Sequence, residues 1–150
     1  MKELLIVLLF VPLVSFSQEQ VLNGISLNGP KDFVKSGDYT WTKGNDLIMV
    51  QSYYGTELTK EGYILNCKRG SRGSKYVTNI TKEISGVDYI FCIQEGNNSM
   101  LIGQTYVYRN GYTFLITCGT SSLDFDNDDS KAFTNLLYMF GYMITRVTIN

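Results

Sequence analysis

The chain has 150 residues, the size of one domain of ordinary length, and its formal net charge is −1. Such a charge gives no global attraction to nucleic acid or to an anionic membrane. The sequence contains no histidine. Because serine and cysteine nucleophiles usually need a histidine base, and catalytic zinc usually takes imidazole ligands, these chemistries are excluded and a non-catalytic protein without a cofactor is favoured.

Residues 1–17 contain the three parts of a secretory signal peptide. Lys2 supplies the positive start, residues 4–14 form an apolar run, and Ser15 and Ser17 give the small-x-small pattern that precedes cleavage. The apolar run is shorter than the ~20 residues that a membrane-spanning helix needs. No cysteine lies near the cut. We therefore expect a soluble periplasmic or secreted protein without a lipid anchor or a transmembrane segment.

The first half of the mature chain predicts short strands around one longer strand. A polar leader is expected over residues 18–24 and a single domain over residues 25–150. Ile25–Leu27 and Tyr39–Lys43 are predicted as brief strands between glycine-containing turns. Residues 46–54 form a longer strand with apolar side chains on both faces, which is typical of a central strand covered on both sides.

A helix is predicted next, over residues 56–68. Leu58, Gly62 and Leu65 stand at positions i, i+4 and i+7 of this segment, although its Tyr-Ile-Leu tripeptide would also suit a strand. A loop rich in glycine and serine then leads to a strand over residues 76–83.

Three further strands, over residues 87–94, 100–109 and 112–118, predict an antiparallel meander. Asn110-Gly111 is the favoured two-residue hairpin turn and fixes the register of the last two strands. One face, expected toward the core, pairs Arg109 with Tyr112, Val107 with Phe114, Thr105 with Ile116 and Gly103 with Cys118. The other, amphipathic face pairs Tyr108 with Thr113, Tyr106 with Leu115 and Gln104 with Thr117.

The last element is a predicted helix over residues 130–143 with Asp128 or Asp129 as its cap. An apolar stripe runs along one side of this helix, and the opposite side is also apolar. This pattern indicates that the helix is buried on more than one side, either by loops and the N-terminal strands or by a partner protein. Its apolar stripe consists of Phe133, Leu136, Leu137, Phe140 and Ile144.

The order of these elements resembles the family of the PsbP extrinsic protein and Mog1. An aromatic hairpin, a helix, a long meander, an acidic loop and a closing helix follow one another between residues 25 and 144. The resemblance implies an α+β fold, with an antiparallel sheet covered by helices in an α/β/α sandwich. It also implies a binding, assembly or stabilising role more often than catalysis, and it carries over no catalytic residues. The residues that carry it are Tyr39, Trp41, Ile48, the strand 114–118, Phe133 and Phe140.

Two charged segments are candidate sites. Asp124, Asp126 and Asp128 have the alternate spacing that begins a calcium loop, but Asp129 replaces its glycine and Asn135 its glutamate. The alternative is a solvated acidic turn at the start of the helix.

A basic segment is the second of these candidates. The Gly/Ser-rich loop contains Lys68, Arg69, Arg72 and Lys75, which would bind phosphate or an acidic glycan or would form a solvated connector.

Three cysteines in an exported protein raise the question of a disulfide. Cys92 and Cys118 are expected on strands two apart, about 10 Å from each other, beyond the ~7 Å that a bridge tolerates between Cα atoms. Cys67 could reach either of them. Three buried free thiols are the preferred prediction, with no disulfide.

The amphipathic meander face is the remaining candidate surface. Aromatic rings beside amide and hydroxyl groups suit sugars, small apolar ligands or a protein partner. The sequence thus predicts an exported non-catalytic binding or assembly factor with an unknown protein partner; the alternative is a calcium-dependent or carboxylate-based module at residues 124–129. The candidate ligand or partner residues are Gln104, Tyr106, Tyr108, Thr113, Tyr138 and Tyr142.

Overall fold

The computed structural model describes residues 20–70, 74–121 and 130–149. They form one α+β domain, in which a seven-stranded antiparallel sheet has a helix packed on each face and a separate two-stranded hairpin lies at the N-terminal end. The expected α+β class is confirmed. The elements are β1 (Gln20–Leu22), β2 (Ile25–Leu27), β3 (Val34–Gly37), β4 (Thr40–Lys43), β5 (Asp46–Tyr54), α1 (Lys60–Arg69), β6 (Ser74–Ile84), β7 (Val87–Gly96), β8 (Met100–Arg109), β9 (Tyr112–Ser121) and α2 (Lys131–Ile149).

The sheet has the strand order β3-β4-β5-β9-β8-β7-β6. Asn110 and Gly111 both have positive φ angles, 53° and 82°, as a type I′ turn requires. This turn sets the predicted register between β8 and β9, and every pair expected on both faces is confirmed, from Arg109 opposite Tyr112 to Gly103 opposite Cys118.

Successive side chains of β7 point to opposite faces of the sheet. Phe91 and Ile93 point to α2, whereas Ile90 and Cys92 point to α1. We call these sides the α2 face and the α1 face. The α2 face carries the main hydrophobic core, whose largest fully buried side chains include Trp41, Phe91, Phe114, Phe133 and Phe140.

Helix α2 begins where the sequence predicts, but its cap is different. The Ser130 hydroxyl accepts a hydrogen bond from the backbone N–H of Phe133 at 3.1 Å, so Ser130 holds the capping position. Asp128 and Asp129 lie outside the described residues. One turn on, the Asn135 amide donates to Asp46 Oδ1 at 3.0 Å and ties the helix start to β5.

The N-terminal hairpin covers the second side of α2, as the first of the two expected alternatives proposed. Ile25 and Leu27 of β2 are buried in the same core as the helix. The Tyr142 hydroxyl donates to the Gly29 carbonyl oxygen at 3.0 Å. At the other end, Arg109 Nη1 donates to the Val147 carbonyl oxygen at 2.6 Å, where a cation also favours the helix dipole.

Helix α1 confirms the predicted helix, although it starts later than expected. The Thr59 hydroxyl accepts from the Gly62 N–H at 3.0 Å and so begins the helix at Lys60. At the end, Gly70 has φ 70° and its N–H donates to the Cys67 carbonyl oxygen.

Helix α2 continues to Ile149, six residues beyond its predicted end, and three other segments also differ from the sequence predictions. Residues 20–22, assigned to the leader, form β1 because Leu22 pairs with Ile25 across a tight turn. Strand β3 was not predicted, since its four residues are all exposed and show no apolar alternation. Strand β5 lies inside the sheet, but it is not covered on both sides, because Tyr53 and Tyr54 at its end are 53% and 83% exposed.

Candidate functional site

Helix α1 covers only part of its face of the sheet. The register places the outward side chains of β5, β9 and β8 in rows across this face. The helix packs over β6 and β7, and its Tyr63 side chain reaches β8, so the β5 and β9 parts of the rows stay open beside it. The three rows are Tyr53, Thr113 and Tyr108; Gln51, Leu115 and Tyr106; and Met49, Thr117 and Gln104.

A disulfide between Cys67 and Cys92 fixes α1 to the sheet. The two Cα atoms are 5.9 Å apart, within the range that a bridge requires. The prediction of three free thiols is therefore wrong: the helix places Cys67 directly above Cys92 on the α1 face. Cys118 points to the α2 face, where it is buried and free, so the argument against pairing it with Cys92 holds.

Tyr63 is the second anchor of α1. Its ring packs on the Tyr106 ring with centroids 4.7 Å apart, and its hydroxyl donates to the Gln104 carbonyl oxygen at 2.8 Å. Burial raises the pKa of the Tyr63 phenol far above its ordinary value, and the neighbouring Tyr106 adds to the increase. Tyr63 is therefore a neutral hydrogen-bond donor at every physiological pH.

A groove of about 410 Å³ runs along the open side of α1. We call it the amide groove, because glutamine and asparagine side chains supply most of its polar groups. Within the part of the chain that the structure describes, none of the side chains that line it is charged. The lining residues are Met49, Gln51, Leu58, Tyr63, Asn66, Cys67, Gly70, Cys92, Gln94, Ile102, Gln104, Leu115 and Thr117.

Hydrogen bonds hold two of these amides in place. Gln104 Nε2 donates to Thr117 Oγ1 at 3.3 Å, and Gln94 Oε1 accepts from the Ser74 hydroxyl at 2.9 Å. A carboxamide nitrogen has two N–H donors, so Gln104 keeps one for a ligand. Gln51 is exposed on the open floor of the groove. The groove thus presents positioned donors and acceptors without a net charge.

The four meander residues predicted for a ligand or partner lie together on one side of the sheet. Gln104, Tyr106, Tyr108 and Thr113 lie on the α1 face, and Gln104 lines the amide groove. The Tyr108 hydroxyl donates to the Gly55 carbonyl oxygen at 3.2 Å, and that of Tyr106 lies 3.5 Å from the Leu58 carbonyl oxygen. These two tyrosines hold the connection between β5 and α1.

The other two predicted ligand or partner residues belong to α2, on the C-terminal helix where the sequence places them. Tyr138 is 61% exposed, and Tyr142 is half-buried with the Arg146 guanidinium 4.8 Å from its ring centroid. Most of the remaining apolar surface of α2 is buried inside the domain. Of the two surfaces that the sequence suggested for a partner, the α1 face is therefore the more open one.

The charged candidates are only partly described. Lys68 and Arg69 are exposed in the last turn of α1 and Lys75 is exposed on β6, while Arg72 lies outside the described residues. Asp124, Asp126 and Asp128 also lie outside them. Within residues 20–70, 74–121 and 130–149, no three His, Cys, Asp or Glu side chains stand close enough together to hold a metal ion.

Sequence reasoning missed most of the groove. It paired Leu115 and Thr117 correctly but did not include them in a site, and it omitted Gln51 and Tyr63. The alternation of β5 could have placed Gln51 on the same face as Met49. Nothing in the sequence indicated that β5 pairs with β9, which brings Gln51 next to Leu115.

Comparison with protein-family models and with curated proteins finds no match for this chain. Neither helix of the described chain has the length and apolar character that crossing a bilayer requires.

Proposed function

We propose that this chain is an exported, non-catalytic binding domain that takes an uncharged, hydroxyl-rich ligand, such as a neutral oligosaccharide, in the amide groove. The observation that carries this proposal is the groove lining, which combines four carboxamide side chains with apolar groups and contains no charge among its described residues. A carboxamide both donates and accepts, as a sugar hydroxyl does. A charged ligand would lose its hydration there without meeting a countercharge.

Tyr53 extends the groove with an aromatic surface. The residue is 53% exposed, and its hydroxyl lies 3.5 Å from Gln51 Oε1 on the groove floor. A tyrosine ring offers apolar area with little loss of conformational entropy, and the C–H face of a sugar ring can pack on it. An exposed ring beside fixed amides therefore suits a sugar better than a fully apolar ligand.

Other features of the chain support the two remaining parts of the proposal, that the protein is exported and that it is not an enzyme. Residues 1–17 have the composition of a signal peptide, and a disulfide such as Cys67–Cys92 persists in oxidising compartments. The absence of histidine removes the commonest catalytic side chain. We also propose, on layout alone, that the domain is an α/β/α sandwich of the PsbP/Mog1-like kind, in which binding roles predominate.

An array of immobilised neutral and acidic oligosaccharides tests this proposal. We expect the labelled mature chain to be retained by neutral glycans in preference to acidic ones. Retention on acidic glycans alone, or on none, would contradict the proposal.

Two adjacent tyrosines supply a matched pair of variants. Tyr53→Ala and Gln51→Ala are each expected to weaken binding by roughly tenfold, since each removes about 1.4 kcal/mol of contact. Tyr54→Ala alters the opposite face of the same strand and should leave binding unchanged. Equal effects of Tyr53→Ala and Tyr54→Ala would place the ligand elsewhere.

A further inference from the structure

The β6–β7 hairpin and the β8–β9 hairpin separate along part of the edge where β7 lies beside β8. β6 pairs with β7 from the Ser85-Gly86 turn to Gly96, and β8 pairs with β9 along its whole length. Among the described residues, however, β7 pairs with β8 only where residues 92–95 lie opposite residues 101–104. Beyond Cys92 the two strands diverge, and we call this opening the β7–β8 gap.

A single side chain marks the point where the strands separate. The Thr105 hydroxyl, fully buried, donates to the Ile90 carbonyl oxygen at 2.8 Å. Past this bond the gap contains a cavity of about 300 Å³, at the lower end of the range for ligand sites. Its lining residues are Glu57, Lys60, Val87, Asp88, Tyr89, Ile90, Tyr106, Val107, Tyr108 and Thr148.

Hairpin geometry identifies the backbone groups that face the gap. Residues that flank a two-residue turn exchange both backbone hydrogen bonds, so Val87 points its backbone at β6 and Arg109 points its backbone at β9. Alternation along the strands then turns the N–H and C=O groups of Asp88 and Ile90 toward β8.

The same alternation turns the corresponding groups of Tyr106 and Tyr108 toward β7. The bond between Thr105 and Ile90 agrees with this assignment, because the Ile90 carbonyl oxygen does face β8. Two facing strand edges therefore present main-chain donors and acceptors into one gap, and the described residues supply no backbone partner for those beyond Ile90.

We infer that the β7–β8 gap is a docking site for an extended polypeptide segment with a basic side chain, which adds to the sheet as a strand between β7 and β8. Main-chain groups recognise an extended peptide whatever its sequence, and this is how strand addition supplies affinity. Past the bond between Thr105 and Ile90, the open edges run from Val87 to Tyr89 and from Tyr106 to Arg109. Such edges match a segment of roughly three to four residues at about 3.3 Å per residue.

Charge selects the basic partner. The exposed carboxylates of Glu57 and Asp88 line the gap, against the single amine of Lys60. Burial raises the pKa of the Tyr106 phenol, and the charges of Glu57 and Glu61 raise it further, so Glu61 of α1 adds a third acidic group on this side. A lysine or arginine of the bound segment would meet a net negative rim.

Selection from a displayed library of random peptides on the full mature chain tests this inference. We expect enrichment of extended sequences that carry Lys or Arg. The bound peptide should slow amide hydrogen exchange at Asp88, Ile90, Tyr106 and Tyr108 by at least roughly tenfold. Failure of any peptide to enrich, or protection confined to residues outside the gap, would overturn the inference.

A charge-matched pair of variants controls for folding and for net charge. Asp88 and Asp38 are both exposed, and Asp38 lies in the distant turn between β3 and β4. Asp88→Lys is expected to weaken binding of the enriched basic peptide by roughly tenfold, and Asp38→Lys should leave it unchanged. Equal affinities of the two variants would also overturn the inference. Unchanged oligosaccharide binding by Asp88→Lys keeps this result separate from the amide groove.

Discussion

The two faces of the sheet differ in how fully their helices cover them. On the α2 face, a helix of 19 residues and the N-terminal segment enclose a core in which Trp41, Phe91 and Phe114 are fully buried. On the α1 face, a helix of 10 residues buries a small cluster around Tyr63 and the disulfide and leaves the amide groove open. The difference suggests that one face supplies most of the stability and that the other is free to bind.

Sequence explains this difference. α2 has apolar residues around most of its circumference, so it must be enclosed by both the sheet and the N-terminal hairpin. α1 buries only Tyr63 and Cys67, and its Leu65 is 52% exposed. A short helix with so little apolar area would pack weakly by itself, and the disulfide compensates for this.

The largest expected effect comes from the α2 face. Phe140 is fully buried and packs on Phe91 with ring centroids 4.8 Å apart. We expect Phe140→Ala to lower the free energy of unfolding by about 3–5 kcal/mol, because it leaves a cavity in the main core. Urea denaturation measures the loss. Tyr138→Ala on the exposed side of the same helix should change stability by less than about 0.5 kcal/mol.

Removing the disulfide should have the next largest effect. The bridge spans a sequence separation of 25 residues, for which loop-closure entropy predicts about 3.5 kcal/mol. We expect Cys67→Ala/Cys92→Ala to lose about this much and to speed amide exchange in α1 more than in α2. The denatured, unreduced wild type should show one free thiol, that of Cys118. Three free thiols would show that the helix is held without a covalent bond.

Thr105→Val tests the point where β7 and β8 separate. The substitution keeps the shape of the side chain but leaves the buried Ile90 carbonyl oxygen without its donor. A loss of about 1–3 kcal/mol is expected in urea denaturation. Thr81→Val, at an exposed position of β6, should change stability by less than about 0.5 kcal/mol. A similar small change for Thr105→Val would mean that the hydroxyl does not hold the strands together.

The smallest effect concerns Tyr63 and depends on pH. The pKa of Tyr63 is raised in the folded state, whereas a tyrosine in the unfolded chain has a pKa of about 10. The contribution of Tyr63 to stability is therefore complete below about pH 10 and falls as the pH rises further, because only the unfolded chain releases this proton readily. Tyr63→Phe should cost about 1 kcal/mol at neutral pH by removing the bond to Gln104 and should make the alkaline decline shallower. An unchanged alkaline decline would exclude Tyr63 as its cause.

Much of the fold could be predicted from local patterns. The Asn110-Gly111 turn determines the β8–β9 register. The apolar stripe of α2 identifies four of its buried residues, although Leu137 of the stripe is only partly buried and Met139 and Met143 outside it are buried as well. Strands β1 and β3 were not predictable in this way, because they are short and their side chains are partly or fully exposed.

The candidate site was less predictable because it depends on contacts between distant segments. β5 pairs with β9, which lies roughly sixty to seventy residues further along the chain, and this pairing creates the floor where Gln51 meets Leu115. The position of Cys67 above Cys92 depends on how α1 crosses the sheet, which helical periodicity does not specify. The β7–β8 gap likewise arises where a strand pairing ends, and no residue pattern in either strand signals that point.

Methyl resonances offer the most direct test that ligands bind the α1 face. Leu115 and Ile116 are neighbours in β9 and point to opposite faces, Leu115 into the amide groove and Ile116 into the α2 core. The measurement is a titration of the methyl-labelled chain with a neutral oligosaccharide retained on the array. We predict that the Leu115 methyl resonances shift as ligand is added until the binding site is saturated, and that the Ile116 methyl resonances do not shift. Shifts at Ile116 without shifts at Leu115 would contradict the division of the sheet into a stabilising face and a binding face.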